Sequence, residues 1–225
     1  MTGKGPGNVT ENIARVLIVD DHPAICEGLG HRIAAQPDLS VCGQAADVDE
    51  ALAMIRQTRP DVVIVDVRLK TGDGLELIKA IQANFRGVRA LAHSMYEESL
   101  YADRCLHAGA MGYVNKGAHP DEVIKAIREI LAGHVYLSPT MTNAILRRTV
   151  NRTDATSDPV ETLTDRQMEI FRLVGEGLST RNIANRLHIS VHTVETHREN
   201  IKRKLELQTV GELTHRAVMW VGAQG

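Results

Sequence analysis

Asp20 and Asp21 stand side by side, Asp66 stands alone, and each follows an unbroken apolar run. Val16-Leu17-Ile18-Val19 precedes the pair and Val62-Val63-Ile64-Val65 precedes the single residue. Such runs of β-branched and aliphatic residues predict buried parallel strands, with acid at their C-terminal ends. Carboxylates at neighbouring strand ends converge on the crevice where open α/β sheets bind ligands. Like charges that close require a cation, and oxygen-only ligands suit Mg²⁺. The chemistry this points to is phosphoryl chemistry.

The elements that must position these acids follow from the rest of the pattern. Strand-like runs fit 15–19, 39–44, 61–65, 88–92 and 111–114, alternating with helical runs at about 23–35, 48–58, 74–84, 97–108 and 121–132. Asp47 and Glu50 form a capping-box pattern, and Pro120 suits a helix start. Five βα units of this length predict a doubly wound α/β fold with a five-stranded parallel sheet. Residues 1–13, Gly-rich and polar, are expected to form a flexible tail, and 14–135 the α/β domain. Residues 136–162 are expected to be a linker, with room for a short helix at 138–148; the stretch 149–162 is polar, aperiodic and contains Pro159. From Leu163 to the end at residue 225 the pattern is all-α. Thr164 with Gln167, Ser179, Ser190, and Thr209 with Glu212 each supply a helix start, and the tight His188-Ile189 turn suggests a helix-turn-helix.

Bulk composition narrows the classes. Apolar content of 43% and charged content of 24% over 225 residues describe an ordinary globular chain, and aromatics at 3% leave its cores to Leu, Ile, Val and Ala. Cys26, Cys42 and Cys105 lack metal-ligand spacing and are expected to be reduced thiols in a cytoplasmic protein. No apolar stretch approaches the roughly 18 residues that span a bilayer, and no signal peptide is evident. Charge is uneven: from Leu163 onward 9 Lys/Arg face 7 Asp/Glu, net +2, and the remainder is net −4. That asymmetry alone does not establish nucleic-acid binding.

With the acids placed on strands, residues 14–132 resemble a response-regulator receiver domain of flavodoxin-like strand order 2-1-3-4-5. The match rests on Asp20-Asp21, Asp66, the hydroxyl of Ser94, and the run from Gly109 to Lys116 that includes Tyr113. The resemblance implies a role for each. Asp66 is the phosphoacceptor, forming an acyl phosphate. Asp20, Asp21, Asp66 and the Arg68 backbone carbonyl hold Mg²⁺. Lys116 pairs with a phosphoryl oxygen, and Ser94 hydrogen-bonds another. Tyr113 is expected to swing inward as Ser94 moves, coupling the site to the outer face of helix 4, strand 5 and helix 5. Lys70 stands where many receivers have proline. His93 stands where an apolar residue is usual; a hydrogen-bonded strand-end histidine is the plain expectation and a pH-sensitive neighbour of the switch the sharper one.

The segment from Leu163 to about Val221 resembles the LuxR-type (NarL/FixJ) four-helix DNA-binding domain. The residues that carry this are Leu163 to Glu169, Gly177-Leu178-Ser179, Ile183-Ala184 and Ser190 to His197. On a 3.6-residue wheel Val191, Val194, Ile201 and Leu205 face inward, and His192, Thr196, Glu199 and Arg203 face outward. The resemblance makes the outward face a major-groove reader, with Glu195, Thr196 and Glu199 for base edges. Asn182, Thr193, Lys202 and Arg203 are the phosphate-contact candidates. Arg198, on the inner side, is expected to be a structural partner, with Glu169 as its candidate. Two acids on the reading helix repel phosphate, so readout of DNA shape or through water is expected, with steep salt dependence.

Together these readings imply a transcription regulator that takes phosphate from a sensor histidine kinase docking near His22-Pro23. Phosphorylation is expected to release the C-terminal domain and favour a homodimer on an inverted-repeat site, through the last helix. It is not expected to be an enzyme beyond self-phosphorylation and autodephosphorylation. One rival is a phosphorylation-independent DNA-binding regulator with the receiver as a dimerisation module; the complete acidic set argues against it. The other is an aspartyl-phosphate phosphatase of the haloacid dehalogenase type, which usually carries a second Asp where this chain has Arg68.

Overall fold

A computed structural model describes residues 13–95, 98–150, 159–187 and 189–222. Two compact units divide the chain, Met1–Thr149 and Val150–Gly225. Residues 1–12 of the expected N-terminal tail, residues 151–158 of the expected linker, and His188 of the tight turn lie outside the described residues.

In the first unit the strands are β1 (Ala14–Val19), β2 (Leu39–Ala45), β3 (Val62–Asp66), β4 (Arg89–Ser94) and β5 (Gly112–Asn115). The helices between and after them are α1 (Pro23–Ala34), α2 (Val48–Thr58), α3 (Gly74–Asn84), α4 (Glu98–His107) and α5 (Asp121–Leu131). All strand pairs are parallel, in the order β2-β1-β3-β4-β5, as expected. The apolar runs are continuous because β1 and β3 are covered on both faces. Alternation sends Leu17, Val19, Val63 and Val65 into one core and Val16, Ile18, Val62 and Ile64 into the other. β3 and β4 extend past their expected ends, so Asp66 and Ser94 are themselves last strand residues. Backbone hydrogen bonding there holds both side chains at a defined height above the sheet. The α2 box forms with one arm displaced: Asp47 accepts from the Glu50 amide, while Glu50 reaches back to Ala46 rather than Asp47.

A further helix, α6 (Pro139–Val150), stands where the short helix was expected. Its approach is not a slack connection. Tyr136 is buried and pairs in parallel with Gly112 on the outer edge of β5.

The second unit begins with a 3-10 turn (Pro159–Thr162) and holds α7 (Asp165–Gly175), α8 (Thr180–Arg186), α9 (Val191–Lys204) and α10 (Val210–Gly222). Thr164 and Gln167 form a complete capping box, and Ser179 and Ser190 cap the next two helices. Phe171, Ile183, Val194, Ile201, Leu213 and Ala217 form the core, with Trp220 tilted against Phe171 at 5.8 Å between ring centroids. Gly175 lets α7 and α10 approach closely: a Cβ there would fall 2.5 Å from the Ala217 carbonyl oxygen. Val191 departs from its wheel position and is 42% exposed. It is the first residue of α9, with no preceding turn to cover it.

Candidate functional site

The strand ends bring the three expected acids together. One ligand atom from each of Asp20, Asp21 and Asp66, and one from His22, all lie within 4.8 Å of one another. Asp20 and Asp66 are 4% and 2% exposed, so their charges sit largely outside water. Lys116, from beyond the end of β5, answers two of them at once: its Nζ is 2.6 Å from Asp66 Oδ2 and 2.7 Å from Asp20 Oδ2. The Arg68 amide donates to Asp66 Oδ1 at 3.0 Å. Gly74 allows this crowding, since a Cβ there would lie 2.1 Å from the Asp66 carbonyl oxygen. Burial pushes the Asp66 carboxyl up, and the Lys116 charge pulls it back down.

Two contacts went unread in the sequence. The His22 amide donates to Asp20 Oδ1, and the His22 ring Nδ1 is 2.8 Å from Asp21 Oδ1 and 3.1 Å from Asp20 Oδ1. Its only sequence signal was adjacency to the pair. The Lys70 amide donates to Asp21 Oδ2, with its ammonium 3.6 Å away. Even so, Asp20 Oδ2 and Asp21 Oδ1 make no well-aligned hydrogen bond among the described residues. Buried carboxylate oxygens in that condition, in an oxygen-rich cluster, fit a hard divalent cation.

Ser94 and Tyr113 lie beside this crevice at 1% exposure each. The Tyr113 ring, expected to swing inward as Ser94 moves, is buried in this structure. Burial pushes its phenol well above the usual range. His93, paired with Asp66 in the β3–β4 register, is also buried. The expected hydrogen bond is absent at Nδ1, which has no partner among the described residues. Burial, then the nearby Lys116 charge, hold it down at about 4.

On α9 the outward face is exposed as expected at His192, Glu195, Thr196, Glu199 and Arg203. The phosphate-contact candidates divide. Asn182 is exposed at the start of α8, and Thr193 is half-buried against the Ser190 cap. Lys202 pairs with Glu199 at 2.9 Å, and Arg203 donates to Asn200. Arg198 donates to Thr180 Oγ1, joining α9 to α8, while the ion pair of Glu169 is with Arg166. Arg166 also donates to the Leu187 carbonyl and so ties α7 to the helix-turn-helix.

Residues 16–128 match the family described as the response regulator receiver domain, and residues 161–217 match the bacterial regulatory proteins of the luxR family. The oxygen regulatory protein NreC of Staphylococcus carnosus (strain TM300) is 34% identical over 209 residues, 91% of this chain and 96% of that protein. The crystal structure of the response regulator ChrA of a heme-sensing two-component system is 30% identical, covering 93% of this chain and 98% of that one, with a TM-score of 0.51. RcsB of Salmonella enterica serovar Typhimurium, bound to promoter P1flhDC in the presence of phosphomimetic BeF3⁻, shares the fold at 23% identity, 91% and 97% coverage and a TM-score of 0.57. No helix among the described residues is long and apolar enough to cross a membrane.

Proposed function

This chain belongs to the response regulators that join a receiver domain to a LuxR-type DNA-binding domain, and we propose that Asp66 is where it takes up phosphate. It is a phosphorylation-dependent, DNA-binding transcription regulator. The observation that carries the assignment of Asp66 is the bridge from Lys116 Nζ to both Asp66 and Asp20 in a buried crevice of three acids.

The residues divide the work as follows. The Asp66 carboxylate attacks phosphorus on the phosphohistidine of a sensor histidine kinase; the P–N bond breaks and an acyl phosphate forms. Arg68 fixes the attacking carboxylate through its amide. Lys116, held within reach of Asp66, exchanges that partner for a phosphoryl oxygen. The Ser94 hydroxyl takes another oxygen. Asp20, Asp21, Asp66 and the Arg68 carbonyl would hold Mg²⁺, which supplies positive charge against the carboxylates and the transferring group. Self-phosphorylation and its hydrolysis are the only chemistry we assign.

The output is DNA binding by α9 in the major groove. Glu195, Thr196 and Glu199 are assigned to base edges, and Asn182, Thr193, Lys202 and Arg203 to phosphates. The protein acts as a cytoplasmic homodimer on an inverted repeat, with α10 at the dimer contact. On α10, Val210, Val218 and Met219 are exposed, which supports that reading.

The test is Asp66→Asn, which should abolish phosphoryl uptake from acetyl phosphate and with it the phosphorylation-dependent gain in operator affinity. Undiminished uptake, read by intact-protein mass, sinks the assignment. Beryllofluoride binding with Mg²⁺ separates this reading from a receiver serving only as a dimerisation module.

A further inference from the structure

His22 stands at the start of α1, where a side chain ordinarily accepts from the first free amides of the helix. Its ring makes no such bond. The His22 carbonyl takes the Ile25 and Cys26 amides, and Pro23, at the first helical position, has no amide to satisfy. The imidazole is left over for another task. The His22 amide donates to Asp20 Oδ1 at 3.0 Å, which fixes the backbone with the ring beside the acidic pair.

The two oxygens of Asp21 are in different states. Oδ2 accepts from the Lys70 amide, with the Lys70 ammonium 3.6 Å away. Oδ1 has no hydrogen bond among the described residues, although the side chain is only 6% exposed. His22 Nδ1 lies 2.8 Å from that oxygen, yet the two are not aligned as donor and acceptor. A short separation without alignment is what two lone pairs show when both face a third atom. An octahedral ion with bonds of about 2.1 Å sets neighbouring ligand atoms about 3.0 Å apart. The His22 Nδ1 separations of 2.8 Å from Asp21 Oδ1 and 3.1 Å from Asp20 Oδ1 are on that scale. A ligand atom of Asp66 lies within 4.8 Å of all three residues. The His22 side chain is 58% exposed where the acids are buried, so the ring stands on the side from which an ion enters.

We propose that His22 is a nitrogen ligand of this crevice, through Nδ1, when the ion held there is a first-row transition dication. Asp21 Oδ1 and Asp66 are its fellow ligands. The ring is then neutral, with its proton on Nε2. Imidazole suits ions such as Zn²⁺ and Ni²⁺, whereas Mg²⁺ takes oxygen ligands and keeps its waters. His22 therefore stays outside the Mg²⁺ shell and joins that of the softer ion. The crevice distinguishes ions by identity as well as by charge, and the histidine is the residue that does so. This deepens, and rests on, the reading of Asp20, Asp21 and Asp66 as the ion site.

The experiment uses the full chain with ¹⁵N-labelled histidine, titrated with Zn²⁺ or Mg²⁺ and read by NMR of the ring nitrogens and by calorimetry. Zn²⁺ should move the His22 Nδ1 resonance to a metal-bound position and fix the Nε2–H tautomer, and Mg²⁺ should do neither. His22→Ala should weaken Zn²⁺ binding by about tenfold or more, since even the outer partner of a ligand commands that much. Its effect on Mg²⁺ affinity should be less than about twofold, because the oxygen ligands remain. Asp21→Asn should weaken both ions and abolish the His22 response, which separates this site from zinc held by other histidines. A His22 Nδ1 resonance that Zn²⁺ leaves unmoved, while Asp21→Asn still weakens both ions, overturns the ligand and leaves the ion site intact. Equal losses for the two ions in His22→Ala overturn the discrimination. Affinities that ignore Asp21→Asn overturn the ion site and the proposal together. The wild-type spectra decide ligation without any variant, so a poorly folding His22→Ala cannot mask the result.

Discussion

In the receiver crevice the acids and their lysine are withdrawn from water, whereas on α9 acids and bases stand out in it. The Lys116 side chain is 3% exposed between two carboxylates, while Glu199, paired with Lys202, is 69% exposed. Charges in the crevice feel one another strongly, so one added phosphoryl group can bias the whole domain. On α9 the Glu199 carboxylate is screened, although the Lys202 side chain is only 14% exposed, and a pair three residues apart on a helix contributes only about 0.2–0.5 kcal/mol. The proposed move of Lys202 from Glu199 to a DNA phosphate would then forfeit only a weak pair. An input needs partners that are hard to exchange until the signal arrives, and an output face needs partners that are easy to exchange.

The sharpest way to break this contrast is Lys116→Met. It strands two buried carboxylates, and about 3–5 kcal/mol of receiver stability should go with it. Urea unfolding would measure this, and Mg²⁺ should return part of the loss by supplying the missing charge. A loss below about 1 kcal/mol would mean the crevice is wetter than the structure shows.

His93 gives the next largest effect. Its folded value of about 4 lies below the ordinary 6.5, so the unfolded chain binds the extra proton first. The neutral, buried ring is fully tolerated above pH 6.5, and stability falls as pH drops from 6.5 through 4. The total is about 3 kcal/mol. Wild-type and His93→Leu should differ in the slope of stability against pH across that window; parallel curves would refute the burial argument.

On the DNA side the effects should be smaller and of two kinds. Glu195→Ala should cost about 1–3 kcal/mol on the preferred operator and relax the preference at one base position. Lys202→Ala should weaken all sequences alike and reduce the salt slope by about 1. Titrations on operator and scrambled DNA at several salt concentrations distinguish them. Last comes Glu76→Ala, which breaks the exposed Glu76–Lys79 pair on α3. A stability change under about 0.5 kcal/mol is expected, and a larger one would show that exposed pairs count for more here than the contrast with Lys116 allows.

Much of the fold was legible because burial imposes period and composition. The apolar runs before Asp20 and Asp66 announced central strands, and Thr164 with Gln167 announced a helix start that formed in full. Val191 misled because a wheel assigns faces but not the missing turn at a helix end. Tyr136 was assigned to the linker because a single pairing residue has no period to detect. Glu169 was matched to Arg198, yet its ion pair is with Arg166 on its own helix, a choice set by side-chain direction that spacing alone left open.

By itself the sequence determined the two halves, the parallel strands, the acids at their ends and the helices that follow, because each depends on local pattern and on which residues must leave water. Only the tertiary structure decided the pairings. Lys116 answers both Asp66 and Asp20, His22 turns its ring onto the acidic pair, and Tyr113 lies buried beside the crevice. Partners such as Asp66 and Lys116, 50 residues apart, meet through packed layers, where burial makes each charge and hydroxyl find an answer that no local pattern specifies.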